Sequence, residues 1–217
     1  MVELLVRGLP EVAPDIEVHH VNLSLSRQGT DIGRWQWSKG FAARRAVRAA
    51  QTVARQHGCD ALYYVPAPGK RIALWRDLFI LRGLRKSCPH LILHWHASGL
   101  GSWLKSHAWG WERRRAREAL GHADLSIVLA DSLAADAERL EPRHTTVVPN
   151  GVPDPFAHQP LPLRKPRGEN EPIRVVFLGL GSVDKGLFDV IEAIRQGPAK
   201  LQLTFAGDFP GPTEADR

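Results

Sequence analysis

From Asp60 to Ala206 the chain repeats one pattern: a short apolar run, a polar or glycine-bearing turn, then a stretch with apolar residues at helical spacing. Continuous apolar runs suit strands buried on both faces, and parallel strands need a crossover, usually a helix, between them. The alternation therefore restricts the chain to an α/β fold with a parallel sheet.

The periodicity predicts the elements in order. Residues 1 to 9 read as a short amphipathic helix ending at Gly8 and Pro10, and Ile16 to Val21 alternates like a strand. A polar loop with Gly29 and Gly33 leads to a helix from Ser38 to His57, with Ser38 as N-cap and Gly58 as its stop. A strand over Asp60 to Val65, a loop at Pro66 to Gly69, a helix over Ile72 to Lys86 and a strand over Leu91 to Trp95 follow. Ser102 to Leu120 reads as one helix rich in Trp and Arg. Leu125 to Leu129 is the next strand, Asp131 to Leu140 a helix capped by Asp131 or Ser132, and Thr145 to Val148 a strand. The order suggests a doubly wound sheet.

Gly151 to Pro172 holds six prolines and no periodicity, the mark of a linker. A second unit then opens, with Ile173 to Leu178 as a central strand, Lys185 to Ile194 as a helix and Leu201 to Ala206 as a strand. The reading divides the chain into residues 1–150, 151–172 and 173–217.

A formal net charge of +6 favours anionic partners, with a merely solvated basic surface as the alternative. Cys59 and Cys88 follow no metal-ligand or redox spacing, which fits a reducing cytoplasm. No apolar stretch reaches the roughly 18 residues of a membrane span, and the N-terminus is too short and charged for a secretory signal. Seven Trp and many Arg leave peripheral contact with a membrane open.

Gly179-Leu180-Gly181 after a strand invites a dinucleotide fingerprint, but Asp184 stands where the third glycine belongs. Asp184-Lys185-Gly186 also lacks the Gly-Lys-Ser/Thr order of a P-loop. What survives is a glycine turn that lets phosphate approach backbone at Gly181, with Lys185 as a point charge. The alternative for Lys185 is an exposed surface lysine.

His94 and His96, two apart at a strand end, project to the same side. No further ligand lies at metal spacing near them, so no metal site is read. His96, beside Ala97-Ser98-Gly99, is placed to donate to a phosphate or hydroxyl, against the alternative of a structural histidine. Trp103, Trp109, Trp111, Arg113, Arg114, Arg115 and Arg117 look like a basic aromatic helix for anionic lipid. Arg115 nevertheless projects near Leu104, Ala108 and Trp111, which favours a partly buried helix with snorkelling arginines. No nucleic-acid motif is present.

Taken together, the strand tip before His96, the Asp124 to Ser132 strand-to-helix step, Val147-Val148-Pro149-Asn150-Gly151-Val152, and Phe177-Leu178-Gly179 through Asp184-Lys185-Gly186 resemble a family 4 (GT-B) glycosyltransferase. The resemblance implies a Rossmann-like acceptor-side domain, a parallel sheet with helices on both faces, followed by the first βαβ unit of a second Rossmann-like domain. It implies retaining, metal-independent transfer of a sugar from a nucleotide-sugar donor to a saccharide or lipid-linked acceptor, in polysaccharide or glycoconjugate biosynthesis. The nucleotide sugar is a substrate, so no cofactor is expected. Lys185 and Gly181 would meet the donor phosphates, His96 would stand at the catalytic edge, and Asn150 and Gly151 would mark the crossing between domains. Leu180 stands where the family often has an arginine. The family also opens with a strand and glycine-rich loop, and continues through a two-glutamate motif, neither of which is found here. The expectation is thus a fragment truncated at both ends, with little activity alone, cytoplasmic and peripheral at the inner membrane face. A rival from another class is a non-catalytic module that binds an anionic membrane surface or a partner chain. An NAD enzyme is disfavoured by the failed fingerprint.

Overall fold

The computed structural model describes residues 2–22, 37–151, 154, 156–157, 168, 171–197 and 200–209. The chain divides into two compact units, one built from residues 1–27 and 33–152 and the other from 28–32 and 153–217.

The first unit opens with helix α1 (Val2–Val12), which runs through Gly8 and Pro10 instead of stopping there. The Ala13 N–H closes the last turn on the Leu9 carbonyl at 2.8 Å. The strand expected over residues 16–21 does not form; the stretch has no ladder partner among the described residues. The polar loop with Gly29 and Gly33 lies outside the described residues, as does the Ser38 side chain. Helix α2 (Trp37–His57) ends as expected at Gly58, whose φ of +61° only glycine adopts without penalty.

Four parallel strands follow: β1 (Ala61–Tyr64), β2 (His90–Trp95), β3 (Leu125–Val128) and β4 (Thr145–Val147), paired in the order β1-β2-β3-β4. Helix α3 (Arg71–Leu84) joins β1 to β2, α4 (Leu100–Ser106) and α5 (Gly110–Leu120) join β2 to β3, and α6 (Asp131–Glu138) joins β3 to β4. The parallel α/β expectation holds. Among the described residues every step goes the same way across the four-stranded sheet, an arrangement compatible with a Rossmann-like fold in which no reversal of strand order is seen. Right-handed crossovers in one direction carry their helices to one face.

The register agrees with that reasoning. Leu62 pairs with Leu91, Tyr64 with Leu93 and Trp95 with Val128, so these side chains share a face. They join the core with Leu74, Ile80, Leu81 and Leu84 of α3, Leu100 and Leu104 of α4, and Ala116, Ala119 and Leu120 of α5. The opposite face carries Tyr63, Ile92, His94, Leu125 and Ile127, of which only His94 is fully buried.

The expected single helix over residues 102–120 is two. The buried Glu112 carboxylate accepts the Trp109 N–H at 2.8 Å and starts a new helix there. Helix α6 begins at Asp131 after Ala130, with no side-chain cap from Asp131 or Ser132.

In the second unit, strands β5 (Ile173–Leu178) and β6 (Leu201–Ala206) pair in parallel, joined by a 3₁₀ turn (Val183–Lys185) and helix α7 (Leu187–Gln196). Strand β5 is not buried on both faces: Val176 and Leu178 are exposed, because among the described residues β6 is its ladder partner and helix α7 packs chiefly against β6. Most of the proline-rich stretch lies outside the described residues.

Candidate functional site

In the first unit the strongest polar feature sits where parallel α/β sheets bind ligands, at the carboxyl end of a strand. His94 and His96 project from the end of β2 on the sheet face away from the main core, their ring centroids 4.1 Å apart. Sequence spacing anticipated this pair. It missed the third member, Tyr63 on β1, whose hydroxyl hydrogen-bonds His94 Nδ1. Both Nε2 atoms are buried, and neither has a hydrogen-bond partner among the described residues.

Burial holds both imidazoles below the usual histidine pKa, and for His94 the neighbouring His96 adds to the effect. Burial also pushes the Tyr63 phenol up to about 12. The three groups are therefore neutral near pH 7. The direction of the Tyr63–His94 hydrogen bond sets whether His94 Nε2 presents a proton or a lone pair. Such a pair can hold a hydroxyl or phosphate oxygen by hydrogen bonding, or take a proton from it.

The backbone downstream of His96 is tightly fixed. Asp136 of α6 accepts the N–H groups of Gly99, Gly101 and Ser102 at 3.0, 3.1 and 2.8 Å. Gly99 has φ +91°, and a Cβ on Gly101 would lie 2.3 Å from the Asp136 carbonyl. This anchoring was not legible, since the acid and the turn it caps stand more than thirty residues apart. Asn150 and Gly151 follow β4 in the same unit, exposed and without regular structure.

On α3 and α5 of this unit, the expected snorkelling helix takes another form. Its buried side is Glu112, Ala116, Ala119 and Leu120, while Trp109 and Trp111 are about half exposed. Ile72, Trp75 and Phe79 of α3 are also exposed, and Trp75 and Trp111 lie 6.1 Å apart between ring centroids, so the aromatic groups form one patch. Beneath it, Arg71 lies 4.1 Å over the Trp109 ring and donates to Glu112 at 3.1 Å. Burial opposes ionisation of Glu112, but the Trp109 N–H, the Trp75 indole and Arg71 outweigh it and hold the carboxyl below the usual range.

Lys185 and Gly181 both belong to the second unit. Lys185 is exposed at the end of the 3₁₀ turn, just before Gly186 (φ +75°) and the N-terminus of α7. It forms no ion pair among the described residues. Gly181 is buried, and its N–H already donates to the Asp208 carbonyl at 2.8 Å. The space a Cβ would occupy there is filled by the Phe209 ring at 2.6 Å. Lys185 is thus exposed in this turn, together with Leu180, Val183 and Asp184, and Asp189 stands in the first turn of α7. Among the described residues no helix is long and apolar enough to cross a membrane. The chain matches no protein-family model and no curated protein.

Proposed function

We propose that this chain is a GT-B-type glycosyltransferase component that handles a nucleotide-activated sugar, with transfer by a retaining route that uses no metal ion. The observation that carries the reading is the exposed Lys185, which the turn after β5 sets just before the N-terminus of α7. A pyrophosphate fits such an arrangement, since the helix end and the lysine both favour negative charge. In this reading Lys185 offsets the charge that develops as the nucleoside diphosphate leaves. His96, with Nε2 unpartnered, meets the acceptor or the transferred sugar, and Asn150 and Gly151 lie where the chain leaves the acceptor-side domain.

The test is calorimetric titration of nucleoside diphosphates and nucleotide sugars into the whole chain, alongside transfer assays with saccharide and lipid-linked acceptors. Lys185→Ala is expected to weaken nucleotide binding about tenfold, the loss of one charge-assisted contact. His96→Ala is expected to leave that binding intact while abolishing transfer. Nucleotide binding indifferent to Lys185→Ala, or none at all, refutes the proposal.

A second reading, a non-catalytic module on an anionic membrane surface, is favoured by the exposed aromatic patch of Ile72, Trp75, Phe79, Trp109 and Trp111 beside the arginines of α5. Aromatic rings with neighbouring cations suit the headgroup boundary.

A further inference from the structure

After α1 the chain passes the end of α2 without entering a sheet, and three side chains meet there. Glu17, His19 and His57 bring one carboxylate oxygen and two imidazole nitrogens within 4.8 Å of one another. His19 Nε2 lies 3.2 Å from Glu17 Oε1, and the His19 and His57 ring centroids are 3.8 Å apart. We propose that Glu17, His19 and His57 form a binding site for a zinc-type divalent cation that fastens residues 16–22 to the end of α2.

The donor set selects the metal. Two imidazoles and one carboxylate suit zinc and its late transition-metal neighbours, whereas magnesium and calcium call for oxygen ligands. Donors around a tetrahedral zinc ion stand about 3.4 Å apart, given bonds of about 2.0 to 2.2 Å. The observed cluster therefore closes on an ion by side-chain rotation alone, and Glu17 and His57 are exposed enough to move. A fourth position stays open to water.

The place favours a cation independently of the ligands. His57 is the last residue of α2, where the helix dipole presents its negative end. The segment it would hold makes no strand ladder, so a metal clip replaces the fastening a sheet would have supplied. The site lies at the amino end of β1, which starts at Ala61, whereas His94 and His96 lie at the carboxyl end of β2. The ion therefore acts on structure, not on the chemistry proposed for His96.

The experiment uses the whole chain, stripped with chelator, then titrated with Zn²⁺ by calorimetry and with Co²⁺ by visible absorption. One saturable ion and the Co²⁺ spectrum of a four-coordinate site are expected. Histidine ring resonances of the unmutated chain should shift for His19 and His57 on adding Zn²⁺, a readout independent of any variant. His19→Ala and His57→Ala should each weaken binding by more than about tenfold, since even outer-shell partners of metal ligands are worth that much. Glu17→Gln should weaken it too, while His20→Ala, one residue along, should not. Saturable binding that survives loss of both histidines, unshifted His19 and His57 rings, or no saturable binding overturns the proposal.

Discussion

Replacing His94 by leucine should leave the first unit as stable as before or more so, although the residue is almost fully buried. His94 Nε2 has no partner among the described residues, and an unsatisfied buried polar atom costs about 1 to 3 kcal/mol. Leucine removes that cost and sits beside Ile127, its neighbour on β3, and Ile92 on the same face. Against this, the Tyr63 hydroxyl loses its bond to Nδ1, worth about 1 kcal/mol, part of which water recovers because Tyr63 is only half-buried. The balance is a gain of about 0 to 2 kcal/mol. The substitution should also flatten the acid side of the stability curve. The native histidine has a pKa below its unfolded value of about 6.5, so as pH falls past that value the unfolded chain takes a proton that the folded chain refuses. Stability is therefore present above about pH 6.5 and lost as pH falls through the folded pKa; His94→Leu removes the His94 share and leaves that of His96. Urea unfolding followed by tryptophan fluorescence measures this, and every tryptophan lies in the first unit. A loss above about 2 kcal/mol near neutral pH, well beyond the Tyr63 bond, would refute the reasoning. So would an unchanged dependence on pH.

Glu112→Ala should cost about 2 to 4 kcal/mol in the same assay. It removes the cap on α5, about 1 kcal/mol, and the acceptor for Trp75 and Arg71, whose partial exposure moderates the rest. Changing Trp75 and Trp111 together to serine should cut retention on anionic vesicles by about tenfold or more, because burying one large aromatic contributes about 1.5 to 3 kcal/mol. Flotation with and without anionic lipid reads this, and equal retention by the variant would remove the patch from any membrane contact.

The local elements were legible because short-range signals specify them. Helix α2, strands β1 to β4 and both strands of the second unit lie within a residue or two of the periodicity reading, and β5 and β6 match it. What escaped depends on contacts distant in sequence. The break between α4 and α5 carries no hydroxyl or amide capping residue at Trp109; the cap comes from Glu112 reaching back. Residues 16–21 alternate like a strand, yet alternation reports only that two faces differ, and here His19 meets His57 instead of a neighbouring strand. The helix face of the sheet was hidden for the same reason, since strand order is a long-range property.

The glycine turn of the second unit shows how a motif can be right about shape and ambiguous about purpose. A Cβ on Gly207 would lie 1.8 Å from the Gly179 carbonyl, and one on Gly181 would enter the Phe209 ring. These glycines are therefore required by the close approach of the loops after β5 and β6, whether or not a phosphate ever binds. Their presence in the sequence cannot count as evidence for a ligand. Lys185 is different, because no packing explains it: it is exposed, with no ion pair among the described residues, at a helix N-terminus that already favours anions. A lysine there adds positive potential, and among the described residues it forms no ion pair with Asp184 beside it or with Asp189, which already supplies the acid of the first turn of α7. The functional content of the turn thus rests on the lysine, and His94 follows the same logic in the first unit, as a residue that stability alone would not select.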